Sequence, residues 1–478
     1  MKGFLADRSR GFYLQSFGLI WTDEIFSEKL KESLKKQSSE LDPNDFFKFH
    51  APFCHEFFHY IQSISTTYFA FLNELKYQKS LSVGDMIKVA KRSDILSELT
   101  MPFINSDAIK RLDNILIKHA YGNYIGLHCL EILFTNKEVV LTPKDWSLAI
   151  ASYLSCPSKI KYYTKKFSCD EIILAMDNIK NSKEMFKGAD WKQDIVIDQI
   201  YNPLDIIENA AVAASLLPVI KSHKDTRYWV DWISRIYPKE YTNIISDLYT
   251  VVPNNNAEIF FSFLLAVCDF SLNPPILLEH LRSSEKNSLD LIQLLPGFRL
   301  SIIIQYLSIK DNVSCIEDFK SFIDAFTSNF NWMSSSETSR ISANMLHLGE
   351  HSNDWMRKEF CRANIEKINT PLAFAVPNES LCNGSLIKKY TPPCFLTKSG
   401  IMPGTSDGLK LINAIHWWVI NDMHSDLMHN TNWTTNQLYE IQLPNDVHKI
   451  RDTYLAEWYQ LEPSDILNLA GSQTDAPT

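Results

Sequence analysis

The stretch Pro52-Phe53-Cys54-His55-Glu56-Phe57-Phe58-His59-Tyr60-Ile61-Gln62 decides how the rest of the chain is read. Pro52 suits the first turn of a helix, where its missing N–H is not needed, and Phe53, Phe57, Phe58, Ile61 and Ile64 leave little of that helix polar. A buried helix is predicted. On it, His55 and His59 lie one turn apart on the same face, so two imidazole nitrogens can reach one ion. Glu56 stands to one side of the pair, where its carboxylate can act as a general base on a water at the ion without being a ligand itself.

With 13 histidines in 478 residues, composition alone would produce His-Glu-x-x-His roughly 0.02 times in a chain of this length. The plain alternative is two core histidines and a surface glutamate on one helix. That arrangement leaves several polar groups in an aromatic helix in need of partners, and a metal satisfies them together.

Working outward, the 14 glycines are roughly 3% of the chain against a usual ~7%. Glycine is the residue most needed in tight hairpins and phosphate loops, so a mainly α fold is expected, with a candidate small N-terminal β-sheet and a C-terminal helical region. Helix starts are read at Thr22-Asp23-Glu24, Thr142-Pro143 and Asn202-Pro203, and the aromatic segment Gly11 to Trp21 reads as strand. The turn chemistry of Val251 to Asn256 divides a catalytic region, 1–252, from a helical region, 253–369. Prolines and glycines between Thr370 and Asp407 mark 370–408 as a long loop or hairpin insertion. A helical segment, 409–467, and a disordered tail, 468–478, complete the division.

A net charge of -9 argues against a protein that binds nucleic acid by neutralising phosphates, and no block of Lys and Arg stands out. The nine cysteines are odd in number and scattered, with no pair at two-residue spacing, the pattern of reduced thiols. The first residues are too broken by charge for a signal peptide, and the apolar run Ile259 to Cys268 is far short of the roughly 20 residues of a membrane span. A soluble, cytoplasmic protein without membrane or nucleic-acid partners is expected. Neither a Gly-rich nucleotide loop nor a Gly-x-Ser-x-Gly elbow is present.

In its His-Glu-x-x-His segment the chain resembles the zincin class of zinc metallopeptidases, a likeness confined to one helix and a candidate third ligand. The resemblance implies that the helical core is metallopeptidase-like, that His55 and His59 bind Zn2+ and that Glu56 is the catalytic base and proton shuttle. Residues 61–72 lack the glycine and third histidine of metzincins, which leaves a gluzincin-like arrangement with a glutamate from a second helix. Glu208, in Asn202-Pro203-Leu204-Asp205-Ile206-Ile207-Glu208-Asn209-Ala210-Ala211, is the leading candidate, because a carboxylate in so apolar a helix needs a partner. Position 212, where a gluzincin aspartate would follow, is Val212, and the interval from His59 is long. Solvent exposure of Asp205, Glu208 and Asn209 near a helix start is the competing account. Glu131 is the rival third ligand, with His128 behind it.

His347-Leu348-Gly349-Glu350-His351 matches the inverted pattern, but Gly349 and the following Ser352-Asn353-Asp354 read as a helix ending. His416, His424 and His429 read as incidental to an aromatic helix face. Tyr201, His223, Arg227 and Tyr228 are candidates to stabilise an oxyanion, Asp205 to orient a ligand, and Gln62 to support His59. The sequence thus points to a zinc metallopeptidase acting on a specific protein or peptide, with the remaining half after Val252 a substrate-recognition, regulatory or partner-binding region and a regulatory protein as a candidate partner. The alternatives are a non-catalytic helical scaffold and a metal-dependent hydrolase of a non-peptide substrate.

Overall fold

The structure, a computed structural model of the chain, describes residues 11–14, 19–22, 46–96, 115–135, 201–220, 225–277, 280, 294–309, 313, 315–329, 332–345, 355–369, 389–392, 394–397, 400–404, 456–457 and 460–462. Thr22, read as a helix start, instead ends a strand, and the residues that follow it, the helix start at Thr142, His223, the inverted motif at His347, and His416, His424 and His429 lie outside the described residues.

The fold is mainly helical. In chain order the described helices are α1 (Ala51–Ser65), α2 (Thr67–Arg92), α3 (Ile115–Thr135), α4 (Pro203–Ile220), α5 (Thr226–Ile236), α6 (Asn243–Val251), α7 (Ala257–Ser271), α8 (Pro296–Ile309), α9 (Ile316–Asn329), α10 (Ser335–Asn344) and α11 (Trp355–Asn369). Four short strands, β1 (Gly11–Leu14), β2 (Leu19–Thr22), β3 (Cys394–Thr397) and β4 (Gly400–Pro403), form one sheet in that order. The β1–β2 and β3–β4 pairs are antiparallel, with Gly11 opposite Thr22 and Cys394 opposite Pro403, while β2 and β3 run parallel, with Ile20 opposite Phe395.

Two compact units divide the chain. One takes the described residues of Met1–Phe71, Phe134–Lys137 and Phe186–Gly408, the other those of Leu72–Leu133, Glu138–Met185 and Leu409–Thr478. In the first, α1 packs against α4 and α11, α4 packs against α7, and α7 packs against α8 and α9. The second contains most of α2 and α3, with Val83, Met86, Ile87, Ile117, Leu127 and Leu130 buried.

Local chemistry explains the elements that matter for the site. α1 opens from a π-helical turn, Phe46–His50, carries Pro52 in its first turn, and buries thirteen of its residues, including Phe53, Phe57, Phe58, Ile61 and Ile64. It stops at Thr66, which turns extended and donates from Oγ1 to the Gln62 carbonyl at 2.8 Å. α4 begins where Asn202 accepts from the Leu204 N–H at 3.0 Å, with Pro203 at the first helical position. Its Ala210, Ala211, Ala213, Ala214 and Ser215 are buried, and small side chains let α1 and α7 approach its backbone closely. α4 is long and apolar enough to cross a membrane, yet 83% of it is buried within the protein, as befits a core helix.

α7, capped by Asn256 accepting from the N–H groups of Glu258 and Ile259, buries Phe260, Phe261, Phe263, Leu264, Leu265 and Val267. Each such side chain contributes about 1.5–3 kcal/mol of apolar burial, so α7 is a principal stabiliser of the unit that holds α1 and α4 together.

Candidate metal centre

α1 and α4 bring three side chains to one point. His55 Nε2 lies 3.1 Å from His59 Nε2 and 3.2 Å from Glu208 Oε2, and His59 Nε2 lies 3.5 Å from the same carboxylate oxygen. Helical spacing accounts for the first pair, whose rings meet edge to face at 4.7 Å. The packing of α4 on α1 accounts for Glu208, 149 positions beyond His59. Among the described residues these three form the cluster of ligand-type side chains able to share one ion. Their side chains keep 16%, 10% and 25% of their surface, so the group is enclosed but reachable.

Three ligands of a tetrahedral zinc ion bound at about 2.0–2.2 Å lie about 3.3–3.5 Å from one another. The triangle seen here, with sides of 3.1, 3.2 and 3.5 Å, is slightly tighter than that spacing, and two imidazoles with one carboxylate are a donor set that a divalent metal such as zinc accepts.

The orientation of His59 is set from behind. Its Nδ1 lies 3.0 Å from Gln62 Oε1, and Gln62 Nε2 donates to the Ile207 carbonyl at 3.2 Å. Because the amide nitrogen is committed to a carbonyl, the amide oxygen faces the ring, so Nδ1 carries a proton and Nε2 is the nitrogen turned to the centre, able to act as a ligand once it gives up its own proton. The same amide ties the motif helix to the residue preceding Glu208.

Burial disfavours the charged form of His59, but the adjacent Glu208 carboxylate outweighs it and raises the imidazole pKa to about 9. Burial likewise pushes Glu208 upward, and the two histidines more than reverse it, holding its carboxyl well below the usual range. Glu56 is buried, not at the surface, and makes no hydrogen bond to a described residue. Burial raises its pKa, the neighbouring histidines pull it down, and Glu208 pushes it up again.

Glu131, the rival ligand, is placed elsewhere: on α3 it pairs with Lys79 of α2 and lies 3.4 Å from His128 Nδ1. Its pKa is pushed upward by burial and, more strongly, downward by His128 and Lys79. Tyr201 donates its hydroxyl to Asp247 at 2.9 Å, and Asp205 accepts from Asn243 Nδ2 at 2.7 Å, so neither is aimed at the cluster. Arg227 and Tyr228 sit in the first turn of α5, with Tyr228 exposed.

Sequence reasoning missed Tyr241, whose ring lies alongside His55 at 6.3 Å and 25° and continues to Tyr237 at 6.3 Å and 23°. Pro238-Lys239-Glu240-Tyr241 carries no local signal for such a position. Comparison of the chain with protein-family models, with curated proteins and with solved structures gives no match.

Proposed function

We propose that the protein is a zinc-dependent metallopeptidase in which His55, His59 and Glu208 hold the ion and Glu56 is the general base. The observation that carries this reading is the 3.1, 3.2 and 3.5 Å triangle of two imidazole nitrogens and one carboxylate oxygen on facing helices. A bound zinc ion supplies a Lewis acid that acidifies water and polarises a carbonyl. Glu56, buried one position from His55, takes the proton of the attacking water and delivers it to the leaving amine. Gln62 keeps His59 in the tautomer that presents Nε2. The substrate is a specific protein or peptide, a choice that rests on the resemblance of the His-Glu-x-x-His segment to zincins, and the reading includes a cytoplasmic setting and a regulatory protein partner.

A second reading has its own support: the Glu208 contacts to His55 and His59 also satisfy these groups as a charge cluster in a helical scaffold. The two part on activity. Zinc-loaded protein incubated with a complex peptide library should generate new peptide termini that are absent with Glu56→Gln. Products equally abundant with Glu56→Gln would exclude Glu56-dependent peptide hydrolysis, and zinc-dependent turnover of esters or other non-peptide bonds alone would assign the site to a different hydrolase.

A further inference from the structure

Beside the ligand Glu208, Asn209 is fully buried and saturated with hydrogen bonds. Its Nδ2 lies 2.8 Å from the Asp205 carbonyl, 2.9 Å from the Glu240 carbonyl and 3.0 Å from Asn243 Oδ1, and its Oδ1 accepts from the Ile245 N–H at 3.2 Å. Asn243 completes the set by donating to Asp205 Oδ2 at 2.7 Å.

A helix start leaves its first N–H groups unpaired, and the usual remedy is a side chain at the capping position. Thr242, which caps α6, makes no such bond. The Ile245 N–H is instead satisfied by Asn209 from another helix. The consequence is mechanical. The turn Lys239–Tyr241 and the start of α6 are fastened to α4 at the position next to Glu208, and the last residue of that turn is Tyr241, whose ring lies along His55.

We infer that Asn209 is a positioning residue for the metal centre: its amide fixes the Glu208 end of α4 and, through the Lys239–Tyr241 turn, holds the Tyr241 ring against His55. The inference rests on the metal reading for its consequence but on the hydrogen bonds alone for its mechanism. Two of the three ligands are thereby steadied from one side chain, as Gln62 steadies the third. Losing outer partners of this kind typically weakens metal binding about 10–100-fold.

The test places 3-fluorotyrosine at position 241 of the full chain and follows its 19F resonance without metal and with Co2+, in the unmodified background and with Asn209→Ala. In the unmodified background Co2+ should displace the resonance strongly, because the ring flanks a ligand. With Asn209→Ala about one Co2+ per chain should still bind, with affinity about 10–100-fold weaker, the displacement should shrink, and the metal-free resonance should move as well. Identical spectra with and without Asn209→Ala, and affinity within twofold, would overturn the inference. Should Asn209→Ala fail to fold, Asn243→Ala, at a partly exposed position, removes one arm of the same network and must shift the Tyr241 resonance for the inference to stand. If the unmodified protein binds no Co2+, the metal reading fails, and the metal-free spectra still decide whether Asn209 holds the turn.

Discussion

Gln62 Oε1 and His59 Nδ1 are 3.0 Å apart, and the amide is oriented by its second bond, to the carbonyl of Ile207. One side chain therefore holds a proton on His59 Nδ1 and registers α1 against α4.

Gln62→Leu should leave zinc stoichiometry near one per chain and raise the dissociation constant about 10–100-fold, as measured by competition with a chromophoric chelator. Gln62→Glu, which keeps an acceptor facing Nδ1, should restore part of that loss. Unchanged affinity in Gln62→Leu would mean that the amide has no hold on the centre.

The end of α1 is held by a residue 302 positions away. Lys367 of α11 donates to the Ser65 carbonyl at 2.7 Å and pairs with Asp269 of α7 at 3.0 Å, both side chains nearly buried. Burial lowers the Lys367 pKa and Asp269 pushes it back up. Removing one member of such a pair strands the other, so Lys367→Ala should cost about 3–5 kcal/mol in urea denaturation, whereas the double variant Lys367→Met with Asp269→Leu should recover most of it. A loss below ~1 kcal/mol in the single variant would contradict this role.

Two buried histidines outside the His55, His59 and Glu208 cluster make stability depend on pH. His280 is buried between the Leu277 N–H and the Thr338 carbonyl, and His50 is buried against Phe46 with neither ring nitrogen bonded to a described residue; burial lowers both to about 4. Between pH 6.5 and about 4 the unfolded chain binds more protons than the folded one. Stability is therefore retained above 6.5 and declines as pH falls through that window, by up to roughly 3 kcal/mol for each fully shifted site. His50→Phe should flatten the acid side of the curve in chemical denaturation from pH 4 to 7; a slope equal to that of the unmodified protein would show that His50 does not contribute.

Glu131→Gln separates the two candidate ligands. It breaks the pair with Lys79 and should lower stability by about 1–3 kcal/mol while leaving bound zinc unchanged. Loss of zinc from this variant would move the third ligand from Glu208 to Glu131.

What was legible in the sequence was what short-range chemistry fixes. Pro52 and the phenylalanines fix α1, Asn202-Pro203 fixes the start of α4, and the scarcity of glycine fixes the mainly helical class. Glu208 stood out because an ionisable group in an apolar run must find a partner. Hidden were the pairings made by packing. Nothing local marks Lys367 as the anchor of Ser65, and Asn209 reads like any polar residue near a helix start. Asp205, considered as an orienter of a ligand, instead accepts from Asn243 in the network that Asn209 organises. The burial of Glu56 likewise follows from the packing around α1, not from its own position in the motif.

The most direct measurement is the metal content of the purified protein by elemental mass spectrometry, alongside His55→Ala, Glu56→Ala and Glu208→Ala. The account predicts about one zinc per chain, lost in His55→Ala, retained in Glu56→Ala and weakened in Glu208→Ala. No zinc in the unmodified protein after reconstitution, or zinc untouched by His55→Ala, would contradict it.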